Sequence, residues 1–213
     1  MRAIGIFGGT FDPIHYGHLR SAWEVYQALR LQEIRMVPCR IPPHRTHPAV
    51  TPERRAELVA AALAGQTALT LDIRELVREG PSYTVDTLVS LREELGYATP
   101  MCLIVGSDAF FALETWHQWP RLFELAHVVV MHRAGARMRV TPGSALAAAV
   151  EARQTTCSEA LHLAPAGHIY VQAVTALSIS ASQIRALIQR GERPQYLTPQ
   201  QVINLITLHG LYL

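Results

Sequence analysis

Short apolar runs rich in β-branched residues recur at positions 3–7, 34–37, 69–73, 101–105, 128–131 and 169–171, separated for the most part by stretches of helical length. Runs this short, bounded by glycine, proline or polar residues, read as buried strands. Between the first two, Leu19, Ala22, Trp23, Tyr26 and Leu29 follow helical spacing and mark one apolar face. Strand, amphipathic helix and strand make a βαβ unit, and its repetition predicts an α/β fold with a parallel sheet flanked by helices. Ligands of such a sheet are expected beyond the carboxyl ends of its strands.

Helix starts refine this outline. Thr51 followed by Pro52 predicts a capped helix over 52–64 that stops at Gly65, and Thr84 is the expected cap of the next, which runs through Leu95 to Gly96. Ser180 with Gln183, and Thr198 with Gln201, have the spacing of capping boxes, the second helix running to Gly210. Residues 178–213 should therefore form a small helical part. The glycine-, proline- and charge-bearing stretch 133–167 surrounds an alanine-rich piece at 144–153 that reads as a surface helix, and no function attaches to it. No internal repeat is visible, and the 213 residues are expected to form a single domain.

Composition narrows the classes. A net charge of +2 and a hydrophobic fraction of 49% fit a globular protein without a polyanion-binding surface, so nucleic acid is not an expected partner. No apolar run is long enough for a membrane span, and the amino-terminal apolar segment is too short for a signal h-region. Cys39, Cys102 and Cys157 are widely spaced and odd in number, which indicates neither a disulfide framework nor a zinc site, and a reducing cytoplasm fits best.

The candidate chemistry begins where the first strand ends, in Gly8-Gly9-Thr10-Phe11-Asp12-Pro13-Ile14-His15-Tyr16-Gly17-His18. Gly8 and Gly9 are expected to let the backbone turn tightly so that successive N–H groups approach an anion, with the Thr10 hydroxyl beside them. His15 and His18, three apart at a helix start, share a face and point donors at phosphate oxygens. Neither the G-x-G-x-x-G spacing nor a P-loop lysine is present. Far along the chain, Ser178-Ile179-Ser180-Ala181-Ser182-Gln183-Ile184-Arg185 puts hydroxyls at a helix opening and an arginine about one turn in, which suits a triphosphate. Ile41-Pro42-Pro43-His44-Arg45 is a stiffened loop offering His44 and Arg45 to a phosphate.

Together these segments resemble the T/H-x-G-H and I-S-x-[ST]-x-x-R signatures of the nucleotidyltransferase superfamily, in its bacterial nicotinate-mononucleotide adenylyltransferase form. The resemblance spans nearly the whole chain in order. It implies a Rossmann-like parallel sheet and the reaction of ATP with nicotinate mononucleotide to give deamido-NAD and pyrophosphate, in NAD synthesis. It assigns Gly8, Gly9, Thr10, Phe11, His15, His18, Gly106, Asp108, Ser180, Ser182 and Arg185 to ATP, with His15, His18 and Arg185 carrying catalysis. It assigns His44, Arg45, Tyr83, Thr84, Asp108, Trp116 and His117 to the acceptor. Arg45 stands where the family commonly has lysine, Ser182 where threonine is common, and His117 where tyrosine is frequent, so only the backbone of His117 is carried over. In this pattern Asp108 meets sugar hydroxyls, Trp116 stacks on the pyridine, and the N–H groups of Tyr83 and Thr84 face the nicotinate carboxylate.

An acceptor phosphate is largely ionised at neutral pH, so the reaction needs alignment and charge stabilisation rather than a protein base. Mg²⁺ is expected to arrive with ATP, no metal site being indicated, and Asp12 is expected to shape its turn. Nicotinamide mononucleotide as acceptor, and a nucleotide-binding regulator that transfers nothing, stay open as alternatives. The sequence says nothing of oligomeric state.

Overall fold

The computed structural model describes residues 1–42, 48–133 and 140–213. Seven strands, β1 (Ile4–Gly9), β2 (Ile34–Pro38), β3 (Leu69–Leu71), β4 (Met101–Gly106), β5 (His127–Arg133), β6 (Gln154–Thr155) and β7 (Ile169–Val174), form one sheet in the order β3-β2-β1-β4-β5-β7-β6. Every neighbouring pair is parallel. The helices are α1 (Tyr16–Ala28), α2 (Pro52–Ala62), α3 (Arg74–Val77), α4 (Thr84–Leu95), α5 (Ser107–Phe111), α6 (Leu122–Leu125), α7 (Ala145–Arg153), α8 (Ala160–Leu163), α9 (Ala181–Gln189) and α10 (Gln200–Leu208). This is the Rossmann-like parallel sheet flanked by helices that the sequence predicts. The two-residue β6 and the one-turn helices carry too few residues for a periodic signal.

Alternation of side chains builds two cores. Ile4, Ile6, Met101, Leu103, Val105, Val128 and Val130 pack with α4, α5 and α6 on one face, while Phe7, Cys102, Ile104 and Val129 pack with α1, α2, α9 and α10 on the other. Strand order reverses between β1 and β4, so a crevice opens beyond their carboxyl ends. No helix among the described residues is long and apolar enough to cross a membrane.

Local signals hold where nothing distant competes. Thr51 Oγ accepts from the Arg54 N–H at 3.4 Å, Ser144 Oγ from that of Ala147 at 3.1 Å, and Ser180 Oγ from that of Gln183 at 3.2 Å. Two expected caps are corrected. Tyr83, not Thr84, is the N-cap residue of α4, and Pro199 holds that position on α10. The Thr198 hydroxyl instead donates to the Ile14 carbonyl at 2.7 Å, a buried bond across the molecule. On α1 the buried residues are Ser21, Ala22 and Val25, followed by Leu29 just past its end, and Trp23 remains 37% exposed with its ring against Tyr26.

Two arginines, Arg55 of α2 and Arg92 of α4, lie where the helical apolar stripe calls for hydrophobic residues. Arg92 of α4 is buried and donates to the carbonyls of Leu125, Gly96, Tyr97, Thr99 and Pro165, pinning the loops at the amino ends of β4 and β5. Beside it, His127 is fully buried. Its Nδ1 accepts from the His168 N–H at 3.0 Å, and Nε2 lies 2.8 Å from the Ala164 carbonyl, so Nε2 carries the proton.

Burial pushes the His127 pKa down from 6.5 to about 4, helped by the neighbouring His168, against the Ala164 bond. Between those two values the unfolded chain binds a proton at this ring and the folded chain does not, so stability falls as pH drops through the window. The urea midpoint should therefore be constant above pH 6.5 and decline steadily toward pH 4. His127→Gln should flatten part of that decline, and an unchanged slope in the variant would locate the acid sensitivity elsewhere.

Candidate active site

β1 delivers the first motif to the crevice. Gly8 and Gly9 lie in the extended strand rather than in the turn expected of them. The left-handed residue is Phe11, with φ of 48°. A bulky residue there is strained, and packing holds it. Its ring is buried, edge-on to His18 at 5.1 Å and to Phe7 at 6.0 Å between centroids. Gly9 is glycine because a Cβ would stand 2.8 Å from the Phe11 ring, whereas a Cβ on Gly8 would meet nothing nearer than 4.0 Å. The backbone at Gly8 is thus open to a ligand.

The two histidines open α1 as a pair. Their rings stack at 3.7 Å between centroids, and the His15 N–H donates to His18 Nδ1 at 3.3 Å, which places the His18 ring proton on Nε2. His15 is buried, which lowers its pKa to about 4 and keeps it neutral at pH 7. Gly17 makes this packing possible: a Cβ there would lie 2.9 Å from the His15 ring and 3.4 Å from the Ile179 carbonyl. Both flanks of His15 are tied to residues before α10, since the Tyr16 N–H donates to the Leu197 carbonyl at 3.0 Å and Thr198 holds Ile14.

Arg185 comes from α9 into the same place. Its Nη1 donates to the Asp12 carbonyl at 2.7 Å and stands 3.8 Å from the Asp12 carboxylate. That carboxylate is already used, accepting from the Ala49 N–H at 2.8 Å and from the Tyr212 hydroxyl at 2.9 Å, as a residue that shapes the turn would be. Ser180 and Ser182 sit at the exposed opening of α9, their hydroxyl oxygens 3.1 Å apart.

These features line a cleft of about 1150 Å³. Gly8, Gly9, Thr10, Phe11, His15, His18, Gly106, Asp108, Thr84, Trp116 and Arg185 all border it. Ser180 and Ser182 stand outside its wall, at the end of α9 whose Ala181 and Arg185 do line it. Tyr83 is also outside the wall: its ring lies on that of His117, at 4.4 Å between centroids. The Tyr83 N–H donates to the Pro81 carbonyl at 3.1 Å and is spent within the turn. Of the two acceptor-facing amides expected, Thr84, first residue of α4 and on the cleft wall, is the one left. His44 and Arg45 lie outside the described residues.

Two further charged groups belong to the site. Arg55 of α2, fully buried, donates to the Thr10 carbonyl at 2.7 Å and to the Arg40 carbonyl at 3.1 Å, with its Nε meeting no partner among the described residues. Its sequence signal is its place in the stripe with Leu58, Val59 and Leu63. Glu75 borders the cleft near Ser82 and accepts from the Thr87 hydroxyl at 2.6 Å; burial pushes its pKa up. Nothing in the local sequence distinguishes Glu75 from a surface glutamate. Among the described residues no three His, Cys, Asp or Glu side chains gather as metal ligands.

A glycine-floored crevice with stacked imidazoles and a guanidinium at one end, and an aromatic, a carboxylate and a helix opening at the other, suits two phosphate-bearing ligands side by side. Comparison with known proteins agrees. The family profile described as cytidylyltransferase-like matches residues 6–187. A probable nicotinate-nucleotide adenylyltransferase of Halorhodospira halophila is 50% identical over 212 residues, covering 100% of this chain and 96% of that one, and a protein of the same description from Methylococcus capsulatus is 48% identical over 210 residues, covering 98% and 99%. In fold, the chain is similar to the Plasmodium falciparum nicotinic acid mononucleotide adenylyltransferase complexed with NaAD, with a TM-score of 0.72 at 18% identity over 100% of this chain and 98% of that one. With the motifs, the cleft and full-length similarity in agreement, the chain belongs to the cytidylyltransferase-like family and, within it, to the nicotinate-nucleotide adenylyltransferases.

Proposed function

We propose that the protein transfers the adenylyl group of ATP to nicotinate mononucleotide, releasing pyrophosphate and forming deamido-NAD, in NAD biosynthesis. The observation that carries this reading is the continuous cleft joining the stacked His15–His18 pair and Arg185 to Asp108, Trp116 and Thr84. An acceptor phosphate at the junction reaches the α-phosphorus of ATP, and the bond to pyrophosphate breaks on the far side of that phosphorus.

The chain's residues align and stabilise. His15 and His18 give N–H donors to the α- and β-phosphates. His15, kept neutral by burial, stabilises charge as it develops without attracting the ground-state anion as a full cation would. Arg185 and the hydroxyls of Ser180 and Ser182 take the departing pyrophosphate, while Gly8, Gly9, Thr10, Phe11 and Gly106 form the walls around ATP. Asp108 accepts from sugar hydroxyls, Trp116 stacks on the pyridine, the Tyr83–His117 ring pair flanks the acceptor, and the Thr84 N–H meets the nicotinate carboxylate. His44 and Arg45 complete the acceptor phosphate site. ATP enters as its Mg²⁺ complex, and the imidazole, hydroxyl and guanidinium donors suit a metal carried by the triphosphate rather than a resident ion.

We take residues 1–213 as one domain, since Ile184, Ile188, Val202 and Ile206 of α9 and α10 share a core cluster with Phe7, Ala22 and Val25. The cytoplasm is the compartment assigned to the reaction, in keeping with three free cysteines.

The deciding experiment measures pyrophosphate release from Mg-ATP with each mononucleotide. Nicotinate should be preferred by about tenfold or more in kcat/KM, as one well-placed charge-assisted contact provides. Equal use would remove the role given to Thr84, and no release with either would overturn the transferase. His18→Ala should lower kcat by about a hundredfold with a much smaller change in ATP affinity. Gly17→Ala should lower both activity and stability: its Cβ would stand 2.9 Å from the buried His15 ring and 3.4 Å from the Ile179 carbonyl, so kcat should fall about tenfold and the melting temperature should drop, overpacking of this kind costing about 1–3 kcal/mol.

A further inference from the structure

The turn that presents His15 and His18 is anchored by a residue 200 positions away. The Tyr212 hydroxyl donates to Asp12 Oδ1 at 2.9 Å, and the pair is buried. Tyr212 is only 7% exposed, in the left-handed region with φ of 68°, and its ring belongs to the core cluster that contains Phe7, Phe11 and Ile14. A tyrosine held in such a conformation is there for its hydroxyl as well as its ring, since the ring alone would pack without reaching a carboxylate. Burial and the facing Asp12 push the Tyr212 pKa well above the ordinary tyrosine range, so the hydroxyl stays a donor at every working pH.

Asp12 is where four segments meet. Its Oδ2 accepts from the Ala49 N–H, which follows the loop bearing the acceptor candidates, and its carbonyl accepts from Arg185. Phe11, next to it, carries the edge contact to His18. The carboxylate itself stands 3.8 Å from the Arg185 guanidinium, so a carboxylate released from Tyr212 would be free to turn, altering that ion pair and loosening its hold on the Ala49 N–H.

We propose that Tyr212 is a positioning residue for adenylyl transfer: by fixing the Asp12 carboxylate, its hydroxyl sets the placement of Arg185 and of the phosphate-facing turn. It touches neither substrate and acts through Asp12. The proposal rests on the adenylyltransferase reading for its kinetic consequence, and on geometry alone for its effect on ATP binding.

The test is Tyr212→Phe in the full chain, which keeps the ring and deletes the hydroxyl. ATP affinity, measured by calorimetry with Mg-ATP alone, should weaken about tenfold, the usual scale for a hydrogen bond to a charged group. kcat should fall by a similar factor, with the KM for nicotinate mononucleotide within about twofold of the parent. Asp12→Ala, which removes the acceptor of the hydroxyl together with the Ala49 and Arg185 contacts, should lose at least as much, and adding Tyr212→Phe to it should cost nothing further, because the hydroxyl acts only through that carboxylate. Unchanged ATP affinity in a folded Tyr212→Phe chain would overturn the proposal. So would a loss that merely tracks the fraction unfolded, or a folded Asp12→Ala chain that binds ATP as the parent does. If the parent binds Mg-ATP but releases no pyrophosphate with either mononucleotide, the functional reading fails while the binding comparison still decides the role of Tyr212.

Discussion

The phosphate-facing turn depends on bonds that come from outside it. The Thr10 carbonyl is held by Arg55, the Asp12 carbonyl by Arg185, the Asp12 carboxylate by Tyr212 and Ala49, and the Ile14 carbonyl by Thr198. A segment with Phe11 in the left-handed region and two imidazoles stacked face to face would relax to other conformations if left to itself. Arg55 shows what the arrangement costs. A fully buried guanidinium loses its hydration, and the oxygens it donates to are carbonyls of Thr10 and Arg40. A cation stored under the turn favours whatever polyanion comes to lie above it, so its desolvation is offset in part when a triphosphate binds.

Burial sets the charge of two groups on the cleft. His15 is kept neutral at pH 7, and Glu75 is pushed toward its protonated form, with the Thr87 hydroxyl donating to it. Fixed positive charge comes from Arg185 on the cleft wall and from Arg55, buried beneath the Thr10 carbonyl. With the Glu75 carboxyl drawn toward neutrality, it cancels less of that positive charge, which favours phosphate-bearing ligands.

What could be read from the sequence was what is local. Alternating apolar residues gave the strands, and Thr51, Ser144 and Ser180 cap helices because the bond is closed within three residues. Thr198 has the same local pattern yet bonds Ile14, because a buried carbonyl without a partner outweighs a cap that water can replace. Trp23 fits the helical stripe by spacing and is left half out by the packing of Val25. Motif matches located the residues of the cleft, but not why Gly8 and Gly9 are glycine: the turn lies at Phe11, and the glycines make room for an aromatic ring and an open backbone. Tyr212 and Asp12 give no joint signal in one sequence, since only the closed fold brings them together.

The parallel sheet supplies the remaining constraint, which is distance. β1 and β4 are paired from Ile4–Met101 to Phe7–Ile104, so two residues further on Gly9 and Gly106 stand at the same level on neighbouring strands. From there the chain parts: β1 leads to α1 on one face, where Ala22 and Val25 join the Phe7 core, and β4 leads to α5 on the other, where Phe110 joins the Leu103 core. The motif that carries His15 and His18 and the one that carries Asp108 are thereby fixed one strand spacing apart at their roots, about 4.8 Å, and diverge above it. On the proposed reading, a donor phosphate seated over β1 and an acceptor seated over β4 would meet above the two glycines, where no side chain separates them. Adenylyl transfer needs little from the protein beyond that enforced meeting and donors aimed at the charge it creates, and both follow from which strands are adjacent.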